Sequence, residues 1–170
     1  MTIAISNHQN LAVRFHDIRQ QTLDICRHLS PEDWAAQPAA FVSPPKWHLG
    51  HTTWFFENFV LREYLLDYSL FREDFLYCFN SYYQSQGDRL ARDHRGSLIR
   101  PPIEEVLEYR YEVDQALLKG LQSGEIPESA KAIIEVGLQH EQQHQELLVT
   151  DIKYIFAQNP LRPAIIPGTQ

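Results

Sequence analysis

Cysteine is scarce in this chain. Cys26 and Cys78 are the only two in 170 residues. Two cannot make a disulfide framework, and a reducing, cytoplasmic setting is the expectation. No apolar run approaches the ~20 residues of a membrane span, so no membrane partner is expected. The opening Met1-Thr2-Ile3-Ala4-Ile5 is short and uncharged, unlike a secretory leader. No dense Lys/Arg cluster appears and the formal net charge is −7, which argues against nucleic acid as a partner. No stretch alternates apolar and polar with a period of two for long enough to build a sheet. Internal repeats and low-complexity tracts are also missing.

What is present is helix punctuation. Leu11, Phe15, Ile18, Thr22, Ile25 and Leu29 recur at spacings of three and four, which predicts a first helix over about 7–29. Ser30-Pro31-Glu32-Asp33 carries a cap, a proline and acids in the order of a helix start, and opens a short turn around Trp34. Ser43-Pro44-Pro45 repeats the signal and predicts a second helix to about Asp67. Its aromatic body, Trp47 to Glu57, marks it as central. Gly50 inside it costs roughly 1 kcal/mol against Ala, which a close approach by another helix would explain. Pro101-Pro102 starts a third helix to about Leu121, with Val106, Arg110, Val113, Leu117 and Leu121 as its repeat. The fourth and longest runs over about 128–158 and stops at Asn159-Pro160. Residues 69–100 are irregular, rich in aromatics and then in Arg89, Arg92, Arg95 and Arg100. A loop that long is usually functional or disordered, and the aromatics favour a packed one, with Tyr82 and Tyr83 as a candidate pocket wall. The fold expected is all-α, a four-helix bundle with a long crossover between helices 2 and 3.

Eight histidines are the unusual feature, and they cluster. His140 and His144 are four apart on the last helix, so one turn separates them on one face. With Ile133, Val136, Leu147 and Tyr154 they form a stripe read as the buried face. Buried imidazoles without partners are costly, and one metal ion bound by both would remove much of that cost. His140-Glu141-x-x-His144 matches the zinc-protease pattern, with Glu141 as general base. Polar Gln142 and Gln143, the lack of a third ligand downstream and the lack of a sheet exclude that reading. The third ligand is better sought on the second helix, where His48 and His51 are three apart. His51 is deeper and beside Gly50. His48, in the first turns, is expected to be partly exposed or to support a ligand. Three imidazoles on two helices leave open metal positions, as a catalytic site requires, and suit Zn, Fe, Ni or Cu. His8, His16, His28 and His94 lack partner spacing and read as structural or solvated.

Ser43-Pro44-Pro45-Lys46-Trp47-His48-Leu49-Gly50-His51-Thr52-Thr53-Trp54-Phe55-Phe56-Glu57, taken with His140-Glu141-Gln142-Gln143-His144-Gln145-Glu146, resembles the N-terminal DinB-like domain of the sulfoxide synthases of ergothioneine biosynthesis (EgtB). Phe79-Asn80-Ser81-Tyr82-Tyr83 and Arg95-Gly96-Ser97-Leu98-Ile99-Arg100-Pro101 resemble the stretch between the two motifs. The resemblance implies Fe(II) held by His51, His140 and His144, with Zn or Ni as alternatives in the purified protein. It implies that Gln143 helps to hold N-α-trimethylhistidine, and that an arginine of the middle loop, with Arg89 and Arg92 as candidates, holds the carboxylates of a cysteine-type thiol. Glu146 is expected to hydrogen-bond a ligand rather than bind the ion. The reaction implied joins the thiol to the imidazole ring with dioxygen and gives a sulfoxide.

Family members carry a second, C-terminal domain resembling formylglycine-generating enzymes, which supplies a catalytic tyrosine. The expectation is therefore a metal-binding domain over 1–160, then a tail or linker over 161–170 toward such a domain or subunit, and little synthase activity alone. Two other readings stay open: a stand-alone DinB-like metalloprotein such as a metal-dependent thiol transferase, and a metal-free helical scaffold.

Overall fold

Proline-marked starts and apolar periodicity become four long helices in the computed structural model, which describes residues 7–81, 87–166 and 168. They are α1 (Asn7–Cys26), α2 (Pro45–Phe56), α3 (Ile103–Ser123) and α4 (Lys131–Gln158). Every regular element among the described residues is helical. None of the described helices is long and apolar enough to cross a membrane. Both α1 and α2 pack against α3 and against α4. Gly124, at φ +77°, takes the left-handed position that closes α3.

The prolines mark the starts, yet the serines before them do not cap. Pro44 precedes α2 with no side-chain cap. Ser43 instead accepts a hydrogen bond on Oγ from Arg95 and donates its N–H to Asp151. Ser30 donates its N–H to the Asp33 carboxylate. Ser43 thus ties its loop to the crossover and to α4, and Ser30 serves its own turn.

All twelve residues of α2 from Pro45 to Phe56 are buried. A helix with no solvated face belongs in the middle of a domain, and the aromatic body of this one made that legible. Its continuation loosens into a π turn, Glu57–Leu61, before a last turn, Arg62–Tyr64. The Glu57 carboxylate there accepts hydrogen bonds from Tyr68 (2.9 Å), Tyr109 (2.6 Å) and the Phe71 N–H (3.0 Å). It thus ties α2, α3 and the start of the crossover together.

The crossover is packed. Phe75 and Phe79 are fully buried and meet the Tyr109 ring at 5.0 and 6.3 Å between centroids. Gly50 is explained by this loop and not by a helix: a Cβ there would lie 2.2 Å from the Phe79 ring. The close helix approach is at Gly137 of α4, where a Cβ would meet the Phe56 ring of α2 at 2.5 Å. Tyr82 and Tyr83 lie outside the described residues.

The buried face of α4 is rotated from the apolar stripe. Val136 and Leu147 are exposed, at 54% and 41%. The buried positions are Ile134, Gly137, Leu138, Glu141, Gln145, Leu148, Asp151, Ile152, Ile155 and Phe156. Polar residues enter that face because distant partners meet them. Gln145 donates to the Ile18 carbonyl and to Thr22, and Asp151 accepts from Ser43 and His48. His140 and His144 consequently stand at the edge of the core, half-buried.

Candidate metal centre

Positions 47, 51 and 54 share one face of α2, because i−4 and i+3 neighbours are adjacent on a helix. The consequence is a layered stack. His51 lies between Trp47 (centroids 4.6 Å apart, planes 13° apart) and Trp54 (5.8 Å, 16°). The Arg95 guanidinium stands over the Trp47 ring, 3.2 Å from its centroid, a cation–π contact. Arg95 is anchored by Ser43 Oγ at 2.8 Å and Ser81 Oγ at 3.0 Å.

The His51 ring is also oriented at one nitrogen. Nδ1 lies 2.7 Å from the Phe79 carbonyl oxygen. A carbonyl only accepts, so Nδ1 carries the proton and Nε2 keeps its lone pair. This ring faces the two on α4. The centroids of His51, His140 and His144 form a nearly equilateral triangle with sides of 4.9, 4.8 and 4.6 Å. One nitrogen from each lies within 4.8 Å of the other two. A four-coordinate ion with ~2.1 Å bonds would place them about 3.4 Å apart. Up to about 1.4 Å of closure remains between the 4.8 Å limit and that spacing, within reach of side-chain rotations.

A DinB superfamily model matches residues 14–148, most of the chain, including all three of these histidines. The chain belongs to the DinB superfamily. A comparison with curated proteins finds no match.

The donor set of this DinB superfamily domain fits a divalent ion. Burial lowers the pKa of His51, His140 and His144 below the ordinary imidazole value, and neighbouring histidines push His51 and His144 further down. All three rings are neutral at pH 7 and carry a lone pair. Nδ1 of His140 is buried with no hydrogen-bond partner, a cost that a ligand would remove.

The other candidate residues fall in different places. His48 is buried at 2% exposure, so the expectation of a partly exposed ring fails, while its place beside a candidate ligand agrees with the other expectation: its Nδ1 and the Nδ1 of His144 are 2.9 Å apart. Glu146 is exposed. Two residues past His144, it is about 200° further round the helix, so the group bonded to His144 is His48 and not Glu146. Gln143 is exposed beside His144. Arg89 and Arg92 are exposed on the crossover, where Arg89 donates to the Ser81 carbonyl and the Arg92 carbonyl accepts from Gln37. The arginine buried against the histidine layer is Arg95. No periodicity governs a loop, and although Arg95 opens a stretch that resembles the family, the candidates named from the sequence are Arg89 and Arg92. His16, His28 and His94 are exposed.

Glu141 is spent elsewhere. Its carboxylate is fully buried between Arg19 (2.8 Å) and Arg110 (2.6 Å), with Thr22 at 2.5 Å. Burial alone would raise its pKa, but Arg110 and Arg19 hold it far below the usual carboxylate range. A carboxylate so consumed is no general base for a neighbouring ion.

Proposed function

We propose that this domain holds one Fe(II) ion on His51, His140 and His144 and forms the iron-binding half of a sulfoxide synthase. The observation that carries the metal part is the triangle of neutral imidazoles with unspent lone pairs. The finer reading rests on the resemblance of both motifs, 43–57 and 140–146, to the ergothioneine-pathway enzymes. The substrates would be a cysteine-type thiol and N-α-trimethylhistidine. In that reaction dioxygen accepts four electrons. Two come from joining sulfur to the imidazole carbon and two from oxidising the sulfur. One oxygen atom ends on sulfur and the other in water. When bound, the iron would supply the redox chemistry with dioxygen.

The chain's own residues orient and exclude. Trp47 and Trp54 cover both faces of His51 and fix its plane. Three neutral ligands leave the ion its full positive charge, which favours an incoming thiolate. Gln143, exposed beside His144, is the proposed contact to trimethylhistidine, and Arg89 or Arg92 the proposed contact to the thiol's carboxylate. Residues 161–170 would lead toward a C-terminal domain that completes the pocket.

The test is oxygen uptake by anaerobically iron-loaded protein, with and without an added C-terminal domain. Uptake that requires Fe(II), thiol and trimethylhistidine supports the reading. Uptake indifferent to trimethylhistidine overturns it. A second reading, a metal-dependent thiol transferase, draws on the superfamily match alone. Thiol transfer without oxygen consumption would favour it.

A further inference from the structure

His144 is held from behind by a two-residue relay, His48 and then Asp151, of which Asp151 lies in neither sequence motif. Nδ1 of His144 lies 2.9 Å from Nδ1 of His48, and Nε2 of His48 lies 2.9 Å from Oδ2 of Asp151. The same Oδ2 accepts the Ser43 N–H at 3.0 Å. His48 and Asp151 are both buried, so water does not offer substitutes for these partners.

Protons fit this chain in only one way when both rings are neutral. An ionised carboxylate only accepts, so Nε2 of His48 carries the proton. Nδ1 of His48 is then a lone pair and can only accept. His144 must therefore donate from its own Nδ1. Its Nε2 is left with a lone pair. A ring that hydrogen-bonds through one nitrogen is committed to offering the other.

We propose that Asp151 and His48 are positioning residues that lock His144 in its Nδ1–H tautomer and so present Nε2 to the ion shared with His51 and His140. The benefit to ion affinity rests on the metal reading above, whereas the tautomer itself does not. His51 reaches the same state by another route, through the Phe79 carbonyl. The structure therefore uses one backbone carbonyl and one side-chain relay to turn two rings toward the same point.

The test is long-range ¹H–¹⁵N correlation spectroscopy of the imidazoles in the metal-free protein, paired with Zn²⁺ titration against a chromophoric chelator. The wild type is expected to show the His144 proton on Nδ1 and the His48 proton on Nε2. Asp151→Asn keeps an amide oxygen where Oδ2 accepts both bonds. It is expected to preserve the tautomers and to change Zn²⁺ affinity little. Asp151→Leu and His48→Leu remove the relay. They are expected to give a tautomer mixture at His144 and about 10–100-fold weaker Zn²⁺ binding. A purely structural lesion such as Glu141→Gln would lower stability without moving the His144 proton.

A wild-type His144 proton on Nε2 would overturn the proposal, and that spectrum is decisive even if the leucine variants fail to fold. So would leucine variants with unchanged tautomer and unchanged Zn²⁺ affinity. The stated tautomers in a wild type that binds no Zn²⁺ would overturn the metal reading and leave the tautomer lock standing.

Discussion

His140 and Glu141 are neighbours on α4, and both carry polar atoms into the bundle, yet they enter opposite kinds of surroundings. Around Glu141 nearly everything is matched. Arg19 spends Nε on Asp114, Nη1 on Glu141 and Nη2 on Thr53, while Arg110 gives Nη2 to Glu141 and to the Arg19 carbonyl. Arg110 Nε is the one donor of the group left over. Around His140 the nitrogens outnumber the protons, and lone pairs face one another. A buried cluster whose charges cancel holds helices together. One with leftover lone pairs invites a cation.

The sharpest way to break this comparison is Glu141→Gln, which leaves two buried guanidinium groups with Asp114 as their nearest carboxylate. Removing one partner of a buried pair costs about 3–5 kcal/mol. Urea denaturation of the metal-free protein should show a loss of that size. A loss under about 1 kcal/mol would mean that the cluster is not structural.

Acid separates the two regions by pH window. His48, His51, His140 and His144 all have folded pKa values below the ordinary 6.5, burial being the main cause. The unfolded chain therefore takes up protons first, and their stability contribution is lost as pH falls below about 6.5. Each histidine adds a slope of about 1.4 kcal/mol per pH unit while only its unfolded form is protonated. Glu141 has its folded pKa depressed from 4.5 by Arg110 and Arg19 against the opposing effect of burial. Its contribution is full above about 4.5 and is lost only below that. His140→Ala should flatten the slope between pH 6.5 and 4.5, and Glu141→Gln only the slope below it. Denaturation midpoints across the range check both.

Gly50→Ala is expected to act on the boundary. A Cβ there strikes the Phe79 ring, and overpacking of this kind costs about 1–3 kcal/mol. Because the Phe79 carbonyl orients His51, Zn²⁺ affinity should fall as well, whereas the Glu141 acid window should not move. The smallest effects belong to Val136→Ser and Leu147→Gln. Both positions are exposed, and thermal unfolding should register changes within about 0.5 kcal/mol of zero.

Those last two positions show where sequence reading stops. The helices were legible because proline starts, a proline stop and three-four spacing are local signals. Val106, Arg110, Val113, Leu117 and Leu121 were read as one face of α3 and are all buried. On α4 the same logic chose Val136 and Leu147, because it counts apolar residues alone. The face that is buried carries Glu141, Gln145 and Asp151, whose partners Arg19, Thr22, Ser43 and His48 stand 103 to 123 residues away in the chain. Such matches between distant polar groups leave no periodic trace. The four-residue spacing of His140 and His144 did leave one. So did the three-residue spacing of His48 and His51, but the link from His48 on to Asp151 left none, nor did the contacts that position Arg95 against Trp47, Ser43 and Ser81.

X-ray absorption on protein loaded anaerobically with a single equivalent of Fe²⁺ tests the centre most directly. Scattering from three imidazoles per ion in the wild type, falling to two in His51→Ala with at least about tenfold weaker binding, is the expected result. An ion ligated only by water and carboxylate, or a ligand set that His51→Ala leaves unchanged, would contradict it.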